Sequence, residues 1–496
     1  MPSNISDLNH LKQLAGQTAV YGLGTIVPRL LNYLLMTPFY TRVFQKGEYG
    51  VVTELYAYAA LLMVLLTYGM ETTFFRYSEK EKDKAKVYGT SLISLMTTSS
   101  VFIVFILLFS QQLAGVIRYP AHHEYIIYFG LIIGLDAFTS IPFARLRQQN
   151  KAFRFAIIKI INVSVQIGLN LYFLWVCPEI AKSNPESPLL AFYSPEIGVG
   201  YAFISNLAAS VVTLLLLIPD VFKIRIKFDK ALLKQMLNYS FPILIVGLLG
   251  MFNDVSDKLF LKYLWPDKDQ AMKIVGVYGA NFKLAVLLTI FTQMFRYAAE
   301  PFFFAKAKEE NSKEIYADVM KFFIIFGLLI FLGVTLFIDY TKYFIGREYW
   351  EGLKVVPVIL FAKLFFGITI NLSIWYKLTD KTRYGALINL SGTVVVVLIN
   401  VLLIPVFGYM ASAWGQFACY FTVMTFSFFL MRRHFRIDYD LKSIFGYTLF
   451  AVILFVISNS MAIPGLLYRT LFNTLLLLVF AGVVFYRERA VFVKSP

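Results

Sequence analysis

Apolar residues recur along the chain in blocks of about 17–25, each closed by a short polar segment. That is the helical length needed to cross a hydrocarbon layer of about 30 Å. About fourteen spans follow: 17–37, 49–70, 88–110, 124–144, 156–177, 197–218, 238–260, 274–296, 319–338, 355–376, 385–405, 410–431, 444–461 and 467–486. A membrane β-barrel would show ~10-residue alternating segments instead. The pattern predicts an all-α polytopic membrane protein with no intervening segment long enough for a soluble domain. The longest connection, 178–196, carries Pro178, Pro185, Pro188 and Pro195 and is expected to pack over the rim. Residues 1–16 are polar, and the first apolar block is broken by Pro28, Arg29 and Asn32. A cleavable export signal needs a short clean apolar stretch, so the first block is expected to stay as a helix.

Composition agrees. Of 496 residues, 58% are hydrophobic and 15% charged, and the mean hydropathy is +0.66. Soluble domains sit near 45–50% apolar and about 25% charged. Most of the 46 Lys and Arg residues fall in alternate connections, among them "RYSEKEKDKAK" (76–86), "RLRQQNKAFRF" (145–155), "KIRIKFDKALLK" (223–234), "RRHFRIDYDLK" (432–442) and the tail "RERAVFVK" (487–494). The positive-inside bias puts that side, with both termini, in the cytoplasm, and an even number of spans agrees. The formal charge of +16 is then a topology signal with a part in anionic-lipid contact. Nucleic-acid binding would need a basic folded face with reading groups, and none is present in the pattern. Cys177 and Cys419 are far apart and read as packing residues. The chain has no GxxxxGK[ST] and no HExxH. His122, His123 and Glu124 read as an exposed loop, with metal binding as the alternative. No cofactor is expected.

The sequence also resembles itself. An ungapped offset of 229 superposes Tyr49-Gly50 on Tyr278-Gly279, Glu71 on Glu300, Phe74-Phe75 on Phe303-Phe304 and Arg154-Phe155 on Arg383-Tyr384. The first and seventh spans align at an offset of 216. Either apolar sequences match by chance, or spans 1–6 and 7–12 are two copies of one unit. In the second case they are parallel copies, related by an axis along the membrane normal. The expected organisation is an N-lobe (1–219), a C-lobe (220–436) and an appended helix pair (437–496).

The chain resembles the polysaccharide flippases of the multidrug/oligosaccharidyl-lipid/polysaccharide exporter superfamily. The resemblance is carried by "FPILIVGLLGMFNDVSDKLFL", with Pro242 early and Asp257-Lys258 at its end, and by "VGVYGANFKLAVLL", "AAEPFFFAKAK" and "VFQKGEYGVV". It covers the whole chain, including the count of fourteen spans. It implies two six-helix lobes around a central cavity that opens to each side in turn. The implied cargo is a polyprenyl-diphosphate-linked oligosaccharide, driven by H⁺ or Na⁺.

Charges inside the spans need explaining whatever the family. Arg29, Glu54, Asp136, Asp254, Asp257, Lys258, Lys283 and Lys363 each cost about 2.5–3.5 kcal/mol at a helix centre. They are expected to face one another or a watery cavity. Gly247, Gly250, Asp254 and Asp257 share one helix face with Asn253 beside them. Asp254 and Lys258 are an i,i+4 acid-before-base pair, so they either neutralise each other at the rim or serve the cavity. Arg29, Lys283 and Lys363 are candidate diphosphate ligands, since Arg binds phosphate bidentately and Lys supplies a point charge. The alternative is private ion pairs. Asn253 and Asn281 are candidate cavity residues, while the further amides Asn162, Asn170, Asn206, Asn371, Asn389 and Asn400 suit either sugar contacts or helix packing. Lys159 is expected to snorkel toward the cytoplasmic surface. All four histidines lie outside the spans, so proton coupling would fall to carboxylates: Glu54, Asp136, Asp254, Asp257 or Glu300.

The sequence thus predicts a non-enzymatic, multi-pass protein of a bacterial inner membrane. It would flip a lipid-linked oligosaccharide outward for surface polysaccharide assembly and pass it to a glycan polymerase and chain-length machinery. The rivals are a cation or drug antiporter of the same superfamily, which would favour a carboxylate-rich cavity, and a membrane glycan polymerase or ligase, which would need a large outer loop.

Overall fold

The computed structural model describes residues 5–222, 227–306, 312–379, 381, 383–461 and 463–493, with side chains left undescribed at a few of these, including most of 5–23. The described residues are mostly helical, with no strand among them. Among the described residues, thirteen helical segments are long and apolar enough to cross a membrane. A further helix, α1 (Ile5–Val43), contains the first expected span. The protein is a multi-pass membrane protein of all-α class.

Contacts divide the chain into two compact units, Met1–Val255 and Ser256–Pro496. The division falls inside one long helix, α9 (Lys230–Leu264), which Pro242 does not interrupt. The expected lobe boundary at 219/220 falls earlier, near the end of α8.

The first unit holds α1, α2 (Lys46–Thr67), α3 (Met70–Lys80), α4 (Lys84–Val116), α5 (His123–Gln148), α6 (Ala152–Leu171), α7 (Cys177–Ser183), α8 (Gly200–Phe222) and the start of α9. Its helix starts are written in the sequence. Gln45 and Glu48 form a capping box on α2, and the Asp83 carboxylate accepts from the Lys86 amide at 3.1 Å. Both devices satisfy amides that a helix start leaves free. The second expected span, 49–70, is α2, and at its end the chain turns at Tyr68-Gly69 into α3. Gly69 has φ +70°, and a Cβ there would sit 2.9 Å from Ile243, so both the backbone and the space require glycine. Below this joint Met70, Phe74, Tyr88, Leu92, Ile141 and Met236 pack as one core. The connection 178–196 closes down on the unit: Tyr201 stacks on Phe173 at 4.5 Å and on Tyr193 at 5.6 Å.

The second unit holds the end of α9, then α10 (Lys268–Lys306), α11 (Ser312–Leu336), α12 (Ile338–Thr341), a 3-10 turn (Arg347–Val355), α13 (Val356–Leu372), α14 (Ile374–Leu378), α15 (Arg383–Phe407), α16 (Tyr409–His434), α17 (Leu441–Ser460) and α18 (Leu466–Val493). Helix α13 packs on α10, α11 and α16, while α17 and α18 pack on α11. Glycine sets the closest approaches. A Cβ on Gly367 would meet the Phe323 ring at 2.3 Å, and one on Gly415 would meet the Asn400 amide at 2.9 Å.

In both units the pattern of a soluble protein is turned over. Leu108, Val101 and Phe105 on α4, and Leu398, Leu402 and Val406 on α15, are exposed. Glu54, Asp257, Lys363, Asn253 and Asn281 are buried. Lipid replaces water outside, so the apolar face has nowhere better to go and the polar groups turn to each other.

Candidate functional site

In the second unit, buried charge collects around one aromatic ring. Asp257 on α9 is fully enclosed. Its Oδ1 accepts from the ammonium of Lys258 at 2.9 Å and its Oδ2 from the Tyr278 hydroxyl at 2.7 Å. The Lys258 ammonium lies 3.7 Å from the centroid of the Phe282 ring. Lys363 on α13, 1% exposed, brings its own ammonium to 4.6 Å from that ring and 5.3 Å from the Tyr420 ring. Lys283 follows Phe282 on α10 and feels the positive charge of Lys258. Two ammonium groups therefore share the Phe282 ring, and one of them is paired with Asp257.

The local sequence explains the assembly. Tyr278 and Phe282 are four apart and share a face of α10. Ring faces attract ammonium groups without cancelling their charge, so the Phe282 ring holds two cations close together. Neighbouring side chains on a helix normally diverge; Lys258 reaches back to its neighbour Asp257 because its stem is long and flexible.

Asn281, on the same helix, has another task. Its amide donates to the carbonyls of Val277 at 2.8 Å and Tyr349 at 2.7 Å, fixing the 3-10 turn to α10. A Cβ on Gly352 would collide with it at 2.4 Å.

In the first unit the charged groups fall in two places. Glu54 on α2 is fully buried and accepts from the hydroxyl of Tyr119, in the turn after α4. Asp136 on α5 has the Ser210 hydroxyl and the Lys159 ammonium as polar neighbours. Lys159 turns inward instead of snorkelling, and its ammonium lies 3.9 Å from the Phe143 ring centroid. Burial against a ring and a carboxylate compensates it where an outward reach would expose it to lipid. Arg29, on an exposed part of α1, lies near enough for its charge to act on Lys159. Asn253 is fully buried and Asp254 partly so, and neither is without an interacting neighbour. The side chain of Glu300 lies outside the described residues.

The amides divide by unit as well. Asn206 donates to Tyr56 at 3.0 Å, Asn162 to Thr213 at 2.9 Å, and Asn170 accepts from Tyr40 at 2.8 Å. These are links between helices. Asn400 accepts from Ser412 at 2.9 Å across α15 and α16, while Asn371 and Asn389 turn back on their own helices.

The structure thus brings Asp257, Lys258, Lys283 and Lys363 together, and separately Asp136, Lys159 and Arg29. The sequence reading missed Tyr119, Tyr278, Phe282 and Tyr420 as partners. The i,i+4 pair at 278 and 282, just before a span lysine, was the available signal. His122, in the exposed loop, bonds Glu124 at 2.9 Å and stacks on Tyr125.

Among solved structures, the chain is similar to the lipid II flippase MurJ in an inward closed conformation, with a TM-score of 0.72, 13% identity and coverage of 95% of this chain and 99% of that one. It is similar to the MATE multidrug transporter DinF-BH, with a TM-score of 0.62, 14% identity and coverage of 88% and 96%. It is also similar to a MATE family transporter of the MOP superfamily in an outward-facing conformation, with a TM-score of 0.57, 14% identity and coverage of 85% and 95%. These likenesses establish the fold. No curated protein sequence matches significantly. A family model described as polysaccharide biosynthesis protein matches residues 14–305, and the chain belongs to that family.

Proposed function

We propose that the protein is a flippase. It carries a polyprenyl-diphosphate-linked oligosaccharide from the cytoplasmic to the outer leaflet of a bacterial inner membrane by alternating access, coupled to H⁺ or Na⁺ entry. The observation that carries this reading is the pair of buried lysines, Lys258 and Lys363, at the Phe282 ring, with Asp257 paired to the first and Lys283 near enough to feel its charge. A diphosphate leaving water needs several cations held ready for it, and the family is one of polysaccharide biosynthesis. The direction is electrically favourable. A headgroup of about −2 moving outward from a negative cytoplasm gains roughly 4.6 kcal/mol per 100 mV. A glycan polymerase and chain-length machinery would consume the product, and the basic loops would face the cytoplasm.

The test is a reconstituted flipping assay with fluorescent lipid-linked oligosaccharide, with and without H⁺ and Na⁺ gradients. Arg29→Ala combined with Lys283→Ala is expected to abolish flipping, and Lys363→Met to cripple it. Wild-type rates in the double variant would end the headgroup reading. The carboxylates of the first unit, Glu54 and Asp136, favour a second reading as a cation or drug antiporter. Efflux of a fluorescent organic cation that fails in Asp136→Asn and survives in Lys363→Met would select it.

A further inference from the structure

A second polar site lies at the end of the second unit away from the α16–α17 connection. The ends of α11 and α17 and the starts of α13 and α18 enclose a cavity of about 300 Å³. Its wall includes Thr335, Lys354, Phe455, Ser458, Asn459 and Arg469. Lys354 and Arg469 are the ionisable residues of the lining, which holds no carboxylate. Glu348 and Glu351 belong to the same 3-10 turn as Lys354 but lie outside the lining.

The guanidinium of Arg469 is half used. Its Nη1 bonds Asp339 at 2.9 Å, and the same carboxylate holds Lys342 at 3.0 Å. Its Nε is buried with no hydrogen-bond partner. An enclosed N–H without an acceptor is unfavourable, and an incoming oxygen would satisfy it. Lys354 is exposed, with its ammonium 5.0 Å from the Tyr409 ring centroid. Asn459 adds an exposed amide at the mouth. Ser458 and Asn473 are occupied with each other at 2.7 Å, and Asn473 also donates to the Leu336 carbonyl at 2.6 Å, so the floor is a fixed polar surface. Ile338, Leu353 and Phe455 supply an apolar wall.

We infer that this cavity binds a phosphate-bearing anion at the membrane surface, seated between the Arg469 fork and the Lys354 ammonium. A planar guanidinium with a free N–H, a point cation and a neutral amide form a phosphate-binding set. The apolar wall suits a ligand that also carries hydrocarbon. The source is a bilayer phospholipid headgroup or a diphosphate outside the bilayer, and the site is independent of the flippase reading.

The test uses the full chain reconstituted in phosphatidylcholine doped with phosphatidylglycerol, with retained lipid counted by native mass spectrometry after gentle extraction. Phosphatidylglycerol is expected to be retained over phosphatidylcholine. Lys354→Gln, which leaves the Arg469–Asp339 pair in place, is expected to weaken retention about fivefold, the effect of one cation near a charged surface. Lys354→Arg is expected to restore it. Adding Arg469→Gln should cost a further similar factor. Displacement by inorganic pyrophosphate would support the site with a diphosphate as a competing ligand. Retention unmoved by pyrophosphate would support it with the lipid headgroup as the ligand. Equal retention of the two lipids by the wild type, or undiminished retention in Lys354→Gln, would overturn the inference.

Discussion

The two units solve the same problem with opposite charge. In the first, the enclosed acids Glu54 and Asp136 are answered by a phenol, a hydroxyl and one lysine. In the second, the enclosed lysines Lys258 and Lys363 lie against rings, and the Asp257 carboxylate pairs with the first. The sequence offset of 229 makes the contrast sharper, because it sets Glu54 in register with Lys283. It also sets Tyr49 in register with Tyr278, and these are 2% and 0% exposed. The aromatic packing position is the same in both halves, while the charge five residues on has changed sign. Packing tolerates little change in a close-packed interior, whereas the charge of an interior group is free to follow the chemistry required of it.

The comparison breaks most visibly at Asp257. Removing one member of a buried ion pair strands the other charge and costs about 3–5 kcal/mol. Asp257→Ala is therefore expected to give the largest loss of thermal stability in detergent, since Lys258 and Tyr278 both lose the carboxylate they share. Adding Lys258→Met should recover much of it, since an apolar pair of similar size removes the stranded charge. A single variant as stable as wild type would show that the lysines are compensated elsewhere.

The equivalent cut in the first unit is smaller. Tyr119→Phe removes one hydrogen bond to a charged group, worth about 1.5–3 kcal/mol. Glu54→Gln keeps an acceptor for the Tyr119 hydroxyl and is expected to leave the melting temperature nearly unchanged. If Glu54 is a coupling group, the same variant should make flipping indifferent to the ion gradient. Melting curves and gradient-dependent flipping rates, measured on both variants, separate holding the fold from moving an ion.

Phe282→Leu comes next. It preserves apolar volume and deletes the ring that two ammonium groups share. Cation–π contacts are worth about 0.5–1 kcal/mol when exposed and about 2 when desolvated. The expected cost is thus about 1–2 kcal/mol in stability, with a weaker response of transport to diphosphate competitors. Phe282→Tyr, which keeps a ring, should recover the competitor response.

How much of this was legible in the sequence depends on the kind of information. The spans follow from hydropathy because lipid admits few alternatives to a helix. That Lys283 and Lys363 turn inward follows from the same cost. The meeting of Lys363 with Lys258 at Phe282 does not, because a ring carries no charge and phenylalanine is expected anywhere in a span. Lys159 was misread because its position in a span gives depth but not azimuth, and the Phe143 ring that receives it belongs to another helix. Asn281 looked like a cavity amide. Its role was hidden because the carbonyl of Tyr349 that it holds lies 68 residues away. The division at Val255 was equally out of reach, since a proline such as Pro242 need not end a membrane helix.

The smallest predicted effect compares the rims of the units, outside the membrane. In the first, the ammonium of Lys227 bonds Asp83 at 2.9 Å and holds its carboxyl below the usual carboxylate range. Lys86 does the same for Asp229. In the second, Asp440 is lowered chiefly by hydrogen bonding to Ser443 at the start of α17. A lowered carboxyl contributes stability that is present above its unfolded value, about 3.9, and lost as the pH falls through its lower folded value. Both rims should therefore hold at neutral pH and loosen below about pH 4. Salt should tell them apart, because exposed ion pairs are screened while a cap made to a neighbouring hydroxyl and amide is not. Hydrogen exchange at the α4 start should quicken with salt in the wild type and lose that dependence in Asp83→Asn, while exchange at the α17 start should ignore salt throughout. Equal salt responses at the two starts would mean that the first rim, too, is held by its caps.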